Sequence, residues 1–234
     1  MRKIFMVRAL PFLPAAWVSS WIYAKKSEEE SQARLKKWSQ LILKVLGLHL
    51  EIEGQENIPK DRTVYFVSNH QGTLDPALIL ASCPVPVAFI SKKENEKMPI
   101  FGRWAQNIGT LHFDRDSREG NVHMLREASR KLKKGKNLLI FPEGTRSKAD
   151  AMHEFKAGAL LPAYMAKVVI VPVVLHRSYI LDVNEKISKN LKIEYGKPID
   201  LASQDRPDQE MCAKQLHDWI QGRIEISAET SDSC

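Results

Sequence analysis

Residues 64–76 read VYFVSNHQGTLDP and combine a strand, a loop and the start of a helix. The run Val64–Ser68 is rich in β-branched and aromatic residues, which is typical of a buried strand. Farther along, Asp75 precedes Pro76, the pattern of a helix N-cap followed by proline at the first helical position. A strand that passes through a short polar loop into a helix indicates an α/β domain.

The same alternation continues along the chain. Short apolar runs predict further strands at residues 48–53, 85–91, 110–113, 138–141, 168–175 and 191–195. Helical spacing predicts helices at residues 76–82, 99–107, 118–134, 157–166 and 208–224. We therefore expect one α/β domain over residues 48–225, with a mixed, largely parallel sheet flanked by helices. Residues 226–234 are small and polar, and we expect them to form a frayed tail.

The N-terminal residues 4–23 read IFMVRALPFLPAAWVSSWIY, a run long enough to cross a bilayer. Arg8 interrupts this run, and Pro11 and Pro14 would kink a helix. The sequence therefore favours a segment that lies in one leaflet over one that spans the membrane.

A second helix is predicted directly after that segment. Ser27 with Glu30 forms a capping-box pattern, and Gly47 is a suitable stop. Between them apolar residues recur at helical spacing, with lysines and arginines interspersed. Such a helix can simply pack on its own core, but next to an apolar segment it also suits an anionic lipid surface. We interpret residues 1–47 as a helical membrane anchor.

Composition limits the classes of protein to be considered. The chain has 234 residues, 44% hydrophobic and 27% charged, which suits one folded domain and excludes a largely disordered protein. The net charge of +7 favours anionic partners such as an acidic membrane, a phosphorylated substrate or nucleic acid. No nucleic-acid recognition motif occurs, so we predict no nucleic-acid partner. Cys83, Cys212 and Cys234 show neither a metal pattern nor a disulfide framework, as in a reduced, cytosol-facing protein.

The loop after the strand at Val64–Ser68 contains a possible catalytic pair. A tight turn, eased by Gly72, can return the Asp75 carboxylate to the His70 ring. A neutral imidazole can then take a proton from a hydroxyl while the carboxylate fixes its tautomer, so activity should fall in acid. The alternatives are a chance pairing, since the chain has seven histidines, and an Asp75 that only caps a helix.

A second candidate site is FPEGTRS, residues 141–147, which also follows an apolar strand. Arg146 can bind a phosphate through two parallel hydrogen bonds, and Thr145 and the backbone around Gly144 can add donors. Glu143 can form a surface ion pair with the arginine, hold it in place, or accept a hydrogen bond from a substrate hydroxyl. No glycine-rich nucleotide loop occurs anywhere in the chain.

Two further segments complete the set. Residues 109–115 read GTLHFDR and end in Arg115, which is either a second phosphate ligand or a solvated strand-end residue. Val171 and Val173 flank Pro172, and a proline in such a run indicates an edge strand or a bulge.

In this order the four segments resemble the motifs of the 1-acyl-sn-glycerol-3-phosphate (lysophosphatidic acid) acyltransferase family, in its bacterial glycerophospholipid branch. His70 with Asp75 looks like its His-x4-Asp pair, and the other three segments look like its second, third and fourth motifs. The stretch around Lys92 and Glu94 resembles a segment between the first two motifs. Gly72 departs from the pattern, because many members have serine there.

The resemblance implies transfer of an acyl group from acyl-CoA or an acyl carrier protein to the sn-2 hydroxyl of 1-acylglycerol 3-phosphate, which forms phosphatidic acid. It implies His70 as base and Asp75 as its orienting partner, with no metal and no cofactor beyond the thioester. The implied substrate-binding residues are Glu143, Gly144, Thr145, Arg146, Arg115 and Lys92. The implied location is the cytoplasmic face of the cell membrane, as a peripheral or monotopic protein on an anionic surface. Another lysophospholipid acceptor, a transacylase and a non-catalytic lipid-binding protein remain alternatives.

Overall fold

The chain forms seven α-helices and eight strands within residues 8–114, 117–156, 158–183, 189–203 and 205–232, the ranges described by a computed structural model. The helices are α1 Leu13–Tyr23, α2 Glu28–Leu46, α3 Asp75–Ser82, α4 Phe101–Asn107, α5 Arg118–Lys133, α6 Leu161–Ala166 and α7 Gln209–Asp232. The strands are β1 His49–Glu53, β2 Val64–Ser68, β3 Ala88–Lys92, β4 Leu111–Phe113, β5 Leu138–Ile140, β6 Val169–His176, β7 Asn190–Tyr195 and β8 Ile199–Asp200.

All eight strands belong to one mixed sheet in the order β1-β7-β6-β2-β5-β3-β4, with β8 also paired to β6. Strands β6, β2, β5, β3 and β4 are mutually parallel. Strands β7 and β8 run antiparallel to β6, and β1 runs parallel to β7. This confirms the predicted mixed, largely parallel sheet and brings the carboxyl ends of five strands to one edge.

Alternate residues of β2 show how helices cover both faces of the sheet. Val64 and Phe66 belong to a core cluster that includes residues of α2 and α3. Tyr65 and Val67 belong to a second cluster with residues of α5, α6 and α7. Because both faces are buried, β2 is a continuous apolar strand rather than an alternating one.

The predicted boundary of α2 is confirmed in detail. The Ser27 hydroxyl accepts a hydrogen bond from the backbone N–H of Glu30, and the Glu30 carboxylate accepts one from the N–H of Ser27, each at 3.1 Å. Gly47 ends the helix at φ +68°, a conformation that glycine adopts without steric cost.

Other predicted boundaries were wrong. Helix α6 begins at Leu161 rather than at residue 157, and β3 begins at Ala88 rather than at residue 85. Helix α7 continues to Asp232, so the expected frayed tail is helical as far as that residue.

Pro172 lies in an interior strand, which corrects the expected edge strand. Its carbonyl accepts a hydrogen bond from Gly196 at 2.9 Å. In a strand the nitrogen faces the same side as that carbonyl. On this side β6 pairs with β8 at Val169 and Ile170 and with β7 only from Val173 onward. Proline therefore falls in a gap between two partner strands, where a missing N–H costs little.

The N-terminal helices share a small core cluster with α4. After a 3-10 turn at Leu10–Phe12, α1 packs on α2 and α4 around Ala16, Trp38 and Trp104. The turn and the opposite side of α1 expose large apolar residues, namely Leu10, Phe12, Leu13, Trp17, Val18, Trp21 and Ile22. In the part of the chain that the structure describes, no helix has both the length and the hydropathy needed to cross a bilayer.

A buried histidine in β6 makes the stability of the fold depend on pH. His176 is 6% exposed, and burial lowers its pKa to about 4, with Lys192 and Arg223 adding to the effect and Glu53 opposing it. Glu194 lies 3.8 Å from the ring but already accepts a hydrogen bond from Arg223. The unfolded chain takes up this proton near pH 6.5. Stability therefore falls as the pH drops from about 6.5 towards 4.

We expect His176 to account for roughly 3 kcal/mol of stability lost over this interval, the free energy of its pKa change. The measurement is urea unfolding at pH 7 and pH 4.5 for the wild type and His176→Gln. Carboxylates titrate in both proteins, so the difference between the two losses isolates His176. Equal losses in the two proteins would contradict the assignment.

Candidate active site

The site lies at the carboxyl ends of three neighbouring strands in the order β6-β2-β5. The loop after β2 contains His70, and the loop after β5 begins at Phe141. The segment after β6, residues 177–183, is called here the β6 loop. Because parallel strands end on the same edge, these three loops meet although they are far apart in sequence.

His70 and Asp75 form the predicted pair. The Nδ1 atom of the ring lies 2.7 Å from Oδ2 of Asp75, and the two side chains are 21% and 0% exposed. A carboxylate only accepts hydrogen bonds, so Nδ1 carries the proton and Nε2 is left with its lone pair. Asp75 is not the helix cap that we expected. Leu74 occupies the N-cap position, and Asp75 is the first residue of α3.

The Asp75 carboxylate is held by donors from two loops. Oδ2 accepts hydrogen bonds from the backbone N–H groups of Gln71 at 2.7 Å and Gly72 at 2.9 Å. Oδ1 accepts one from the hydroxyl of Ser178, in the β6 loop, at 2.6 Å. These donors and His70 compensate the loss of solvent around a fully buried carboxylate. The arrangement fixes the Asp75 carboxylate in direction towards the ring.

The His70 ring is also fixed from its face and through its backbone. It stacks on Phe141 with centroids 4.1 Å apart and an interplanar angle of 20°. Its backbone N–H donates to Glu143 at 2.7 Å, and its carbonyl accepts from the N–H of Ser147 at 2.9 Å. The two sequence motifs are therefore joined by direct hydrogen bonds.

Glu143 does not form a surface ion pair, one of the arrangements that the sequence left open. It is fully buried, and its oxygens accept hydrogen bonds from the backbone N–H groups of His70 and His153 at 2.7 and 2.8 Å. Burial raises the pKa of this carboxyl group, and the two N–H donors oppose the change. Glu143 thus pairs with the backbone of two loops rather than with Arg146.

Arg146 lies against the loop after β2. Its Nη1 donates to the hydroxyl of Thr73, and Thr73 donates from its N–H and its hydroxyl to the Asp182 carboxylate, each at 2.5 Å. Asp182 lies 3.9 Å from the same Nη1. The Arg146 side chain remains 42% exposed, so its guanidinium has donors directed at solvent that can bind a phosphate.

Four of the expected substrate-binding residues line one cavity of about 850 Å³. Lys92, Glu143, Gly144 and Thr145 contribute to it, together with Lys156. The remaining walls are mainly apolar, formed by residues of β3, β4, α5, β5 and α6. The expected Arg115 lies outside the residues that the structure describes.

Sequence reasoning missed the contribution of the β6 loop. The Ser178 hydroxyl donates to Asp75, and the Ser178 N–H donates to the side chain of Gln71 at 3.1 Å. The Asp182 carboxylate accepts a hydrogen bond from the N–H of Thr73. These partners are about a hundred residues away along the chain, and no local pattern marks them. They become neighbours only in the folded sheet, where β6 pairs directly with β2.

Asn69 extends the pairing of β2 and β6 with its side chain. Its amide nitrogen donates to the carbonyl of Leu175, and its amide oxygen accepts from the Leu175 N–H, both at 2.8 Å. The buried side-chain amide of Asn69 thus makes the two hydrogen bonds to β6 that the backbone of one more β2 residue would make. This pairing anchors the loop immediately before His70.

Gly72 is required by the closeness of the β6 loop. A Cβ atom on this residue would lie 2.6 Å from the carbonyl oxygen of Ser178 and 2.9 Å from Oδ2 of Asp182. We expect Gly72→Ser to lower stability by about 1–3 kcal/mol, because the added atoms force the loops apart. We expect it also to lower kcat, because Asp75 then loses the hydrogen bond from the Ser178 hydroxyl. Urea unfolding measures the first effect and steady-state kinetics measure the second.

Gly222→Ala provides the matched control. A Cβ atom at Gly222 meets nothing within 4 Å, and this residue lies inside α7. The control should therefore be neutral or gain up to about 1 kcal/mol. A Gly72→Ser protein as stable and active as the wild type would show that the β6 loop does not constrain the site.

Comparisons with known proteins identify the family of the chain. The sequence profile of the family described as Acyltransferase matches residues 49–176. A probable 1-acyl-sn-glycerol-3-phosphate acyltransferase of Mycoplasma pneumoniae is 31% identical over 188 residues, which cover 75% of this chain and 70% of that protein. The 1-acyl-sn-glycerol-3-phosphate acyltransferase of Saccharomyces cerevisiae is 35% identical over 134 residues, 56% of this chain and 44% of the yeast protein.

The fold has a solved counterpart. The crystal structure of the 1-acyl-sn-glycerophosphate (LPA) acyltransferase PlsC from Thermotoga maritima matches with a TM-score of 0.77 and 26% identity, covering 97% of this chain and 98% of that one. The profile match extends from β1 through β6 and so includes the loops after β2 and β5. With more than half of its length in that match, the chain belongs to the Acyltransferase family.

Proposed function

We propose that the chain transfers a fatty acyl group from a thioester to the sn-2 hydroxyl of 1-acylglycerol 3-phosphate and so forms phosphatidic acid. The observation that carries the proposal is the 2.7 Å contact between Nδ1 of His70 and buried Asp75, which leaves Nε2 as a base. The names of the relatives support the reaction and the acceptor.

The mechanism follows from the protonation of the pair. Nε2 of His70 takes the proton from the acceptor hydroxyl as its oxygen attacks the thioester carbonyl. Asp75 stabilises the imidazolium that forms, and its four hydrogen bonds hold it in place for that task. When the tetrahedral intermediate collapses, the C–S bond breaks and the thiolate receives the proton from His70. No acyl group is attached to the protein at any stage.

Arg146 binds the acceptor phosphate in this proposal, and Lys92 contributes a second positive charge from the rim of the cavity. Thr73 holds Arg146 near His70. Glu143 acts as a positioning residue, because both of its carboxylate oxygens accept hydrogen bonds from backbone N–H groups. Thr145 and Gly144 line the cavity beside Phe141, which stacks on the His70 ring. Arg115 stays a sequence prediction.

The acyl donor is a thioester of coenzyme A or of an acyl carrier protein. The mainly apolar cavity beside Phe141 offers its acyl chain a place out of water. The acyl group passes directly between two bound substrates, so the protein accelerates the reaction mainly by positioning them. The proposed mechanism uses neither a metal nor a further cofactor.

The reaction is tested by transfer of a labelled acyl group to 1-acylglycerol 3-phosphate in mixed micelles, with acyl-CoA and acyl carrier protein as separate donors. We expect labelled phosphatidic acid. A faster reaction with lysophosphatidylcholine or lysophosphatidylethanolamine would replace the proposed acceptor. Failure with both donors and all these acceptors would refute the enzymatic function.

We further propose that α1 attaches the protein to the cytoplasmic face of an anionic membrane. Its exposed side has Trp17, Trp21 and Ile22, which are 50%, 49% and 56% exposed. Arg103 lies over the Trp21 ring at 3.4 Å and adds a cation beside the apolar side. Aromatic and apolar residues with nearby cations are typical of helices that lie in the membrane interface.

We expect the double change Trp17→Ser and Trp21→Ser to weaken binding to anionic vesicles at least about tenfold, because each tryptophan loses an apolar contact with lipid. Vesicle co-sedimentation measures the effect. Met165→Ser with Met211→Ser is the control, since these residues are also exposed, at 46% and 55%, but lie on α6 and α7. If both double changes weakened vesicle binding equally, a specific role of α1 in membrane attachment would be contradicted.

A further inference from the structure

The β6 loop contacts the loop after β2 at two separate points. The Ser178 hydroxyl donates to Asp75, the partner of the catalytic histidine, at 2.6 Å. Farther along the β6 loop, the Asp182 carboxylate accepts two hydrogen bonds of 2.5 Å from Thr73, one from its N–H and one from its hydroxyl. The first contact supports the proposed base, whereas Asp182 has no part in the proposed chemistry.

The Asp182 side chain is almost completely buried. It is 6% exposed, and burying a carboxylate is costly unless hydrogen bonds replace the lost water. Thr73 supplies a donor to each of the two oxygens, since its N–H binds Oδ2 and its hydroxyl binds Oδ1. Thr73 itself is exposed. A buried carboxylate therefore holds an exposed side chain of the active site in one orientation.

The hydroxyl of Thr73 has a defined direction. Its single hydrogen is donated to Oδ1 of Asp182, so its lone pairs are available to accept. Nη1 of Arg146 donates to this same hydroxyl oxygen. A hydroxyl that already donates to a carboxylate is polarised and accepts more strongly. The three side chains thus form a chain of hydrogen bonds, called here the relay, in which Asp182 orients Thr73 and Thr73 orients Arg146.

Arg146 is also held beside the catalytic loop through the backbone. The N–H of the next residue, Ser147, donates to the carbonyl of His70 at 2.9 Å. Thr73 binds one of the donors of the guanidinium, while the arginine side chain stays 42% exposed. Because the guanidinium is planar and rigid, anchoring one of its donors also sets the direction of the others. The relay therefore orients donors of Arg146 that a ligand can reach.

The chemistry of the proposed acceptor makes this orientation important. In 1-acylglycerol 3-phosphate the reacting hydroxyl and the phosphate are on adjacent carbon atoms. A cation that binds the phosphate therefore also sets the position of the hydroxyl relative to Nε2 of His70. An unrestrained arginine loses rotamer freedom when it binds, whereas one that is already ordered loses less and binds more tightly.

We infer that Asp182, acting through Thr73, is a positioning residue that fixes Arg146 for the phosphate of the acceptor. This rests on the proposed function, in which Arg146 binds that phosphate. The relay favours a phosphate monoester, because an anchored guanidinium makes two parallel hydrogen bonds to its unesterified oxygens. The β6 loop then has two separable tasks, since Ser178 supports the base and Asp182 supports the acceptor site.

Thr73→Val and Thr73→Ser form a matched pair that tests the hydroxyl. Valine keeps the shape of the side chain without the hydroxyl, and serine keeps the hydroxyl. We expect Thr73→Val to raise KM for 1-acylglycerol 3-phosphate at least about fivefold with kcat within about twofold, because contacts with the phosphate are equal in the ground and transition states. Thr73→Ser should stay within about twofold of the wild type in both constants. Urea unfolding shows that each variant is folded.

Asp182→Asn tests the other end of the relay. An amide oxygen can accept one of the two hydrogen bonds from Thr73, but the amide nitrogen then faces the other donor. We expect KM for 1-acylglycerol 3-phosphate to rise as in Thr73→Val. In both variants the preference for this acceptor over lysophosphatidylethanolamine, measured as the ratio of kcat/KM values, should fall at least about threefold, since the phosphodiester depends less on the anchored guanidinium.

A double-mutant cycle tests whether Thr73 acts through Arg146. Thr73→Val should lower kcat/KM at least about fivefold in the wild type but less than about twofold in an Arg146→Gln background, because the relay there has lost its last member. A full effect of Thr73→Val in that background would separate Thr73 from the arginine and overturn the relay.

Other results overturn the relay in distinct ways. A fall in kcat with unchanged KM would assign Thr73 and Asp182 to the support of the pair of His70 and Asp75. Equal results for Thr73→Val and Thr73→Ser would show that the hydroxyl does not hold Arg146. With an active wild type, each of these results removes the relay and leaves the enzyme. A wild type that is inactive with every acceptor would refute the proposed function and the relay with it.

Discussion

Replacing His70 by alanine is expected to lower kcat by about 10²–10⁴-fold, the usual effect of removing a general base. The fold should survive, because the partially exposed ring contributes little to the core. The backbone of residue 70 keeps both of its hydrogen bonds, to Glu143 and from Ser147, since neither involves the ring. Phosphatidic acid formation under saturating substrates measures the change.

The control for this variant is His49→Ala. His49 is an exposed residue of β1, away from the site, so its loss should leave kcat within about twofold. Circular dichroism and urea unfolding show whether each variant is folded. A folded His70→Ala protein with at least a tenth of the wild-type kcat would exclude His70 as the base.

Asp75→Asn tests the charge of the pair without changing its shape. The amide oxygen can occupy the position of Oδ2 and accept from Gln71, Gly72 and His70, while the amide nitrogen donates to Ser178, whose hydroxyl can turn to accept. The negative charge that stabilises the imidazolium is lost. We expect kcat to fall roughly 10²–10⁴-fold, with KM for the acceptor nearly unchanged, because Asp75 acts on the transition state.

Asp200→Asn serves as the matched control. This aspartate forms an exposed ion pair with Arg62 through two hydrogen bonds of 2.7 Å, far from the catalytic loops. Its replacement should cost at most about 1 kcal/mol of stability and leave kcat unaffected. If Asp75→Asn retained wild-type kcat, a purely structural part for this carboxylate would follow.

The local elements of the site were predictable from sequence because each is encoded in a short stretch. The strand predicted from the apolar run Val64–Ser68 has the same first and last residues as β2 in the structure. The return of Asp75 to His70 needed only a five-residue turn with a glycine. Even so, the helix begins one residue earlier than the proline rule indicated, with the carboxylate turned back to the loop instead of capping.

Glu143 shows where local reasoning stopped. Three residues before Arg146 in sequence, it looks like one half of an ion pair. In the folded chain its carboxylate points inwards to the N–H groups of His70, in the loop after β2, and of His153, ten residues farther along its own loop. Which way a loop side chain points depends on what surrounds the loop, and that is a property of the tertiary structure. The partnership of Ser178 with Asp75 was inaccessible for the same reason.

The arrangement of the sheet also has a consequence for biosynthesis. β2 lies between β5 and β6, yet β6 is synthesised a hundred residues later. Until that strand leaves the ribosome, Asn69 has no Leu175 to bind and Asp75 has no Ser178. Contacts so distant in sequence form late. A growing chain therefore carries His70 and Asp75 before their surroundings are complete, and we expect activity only when its last third has joined the sheet.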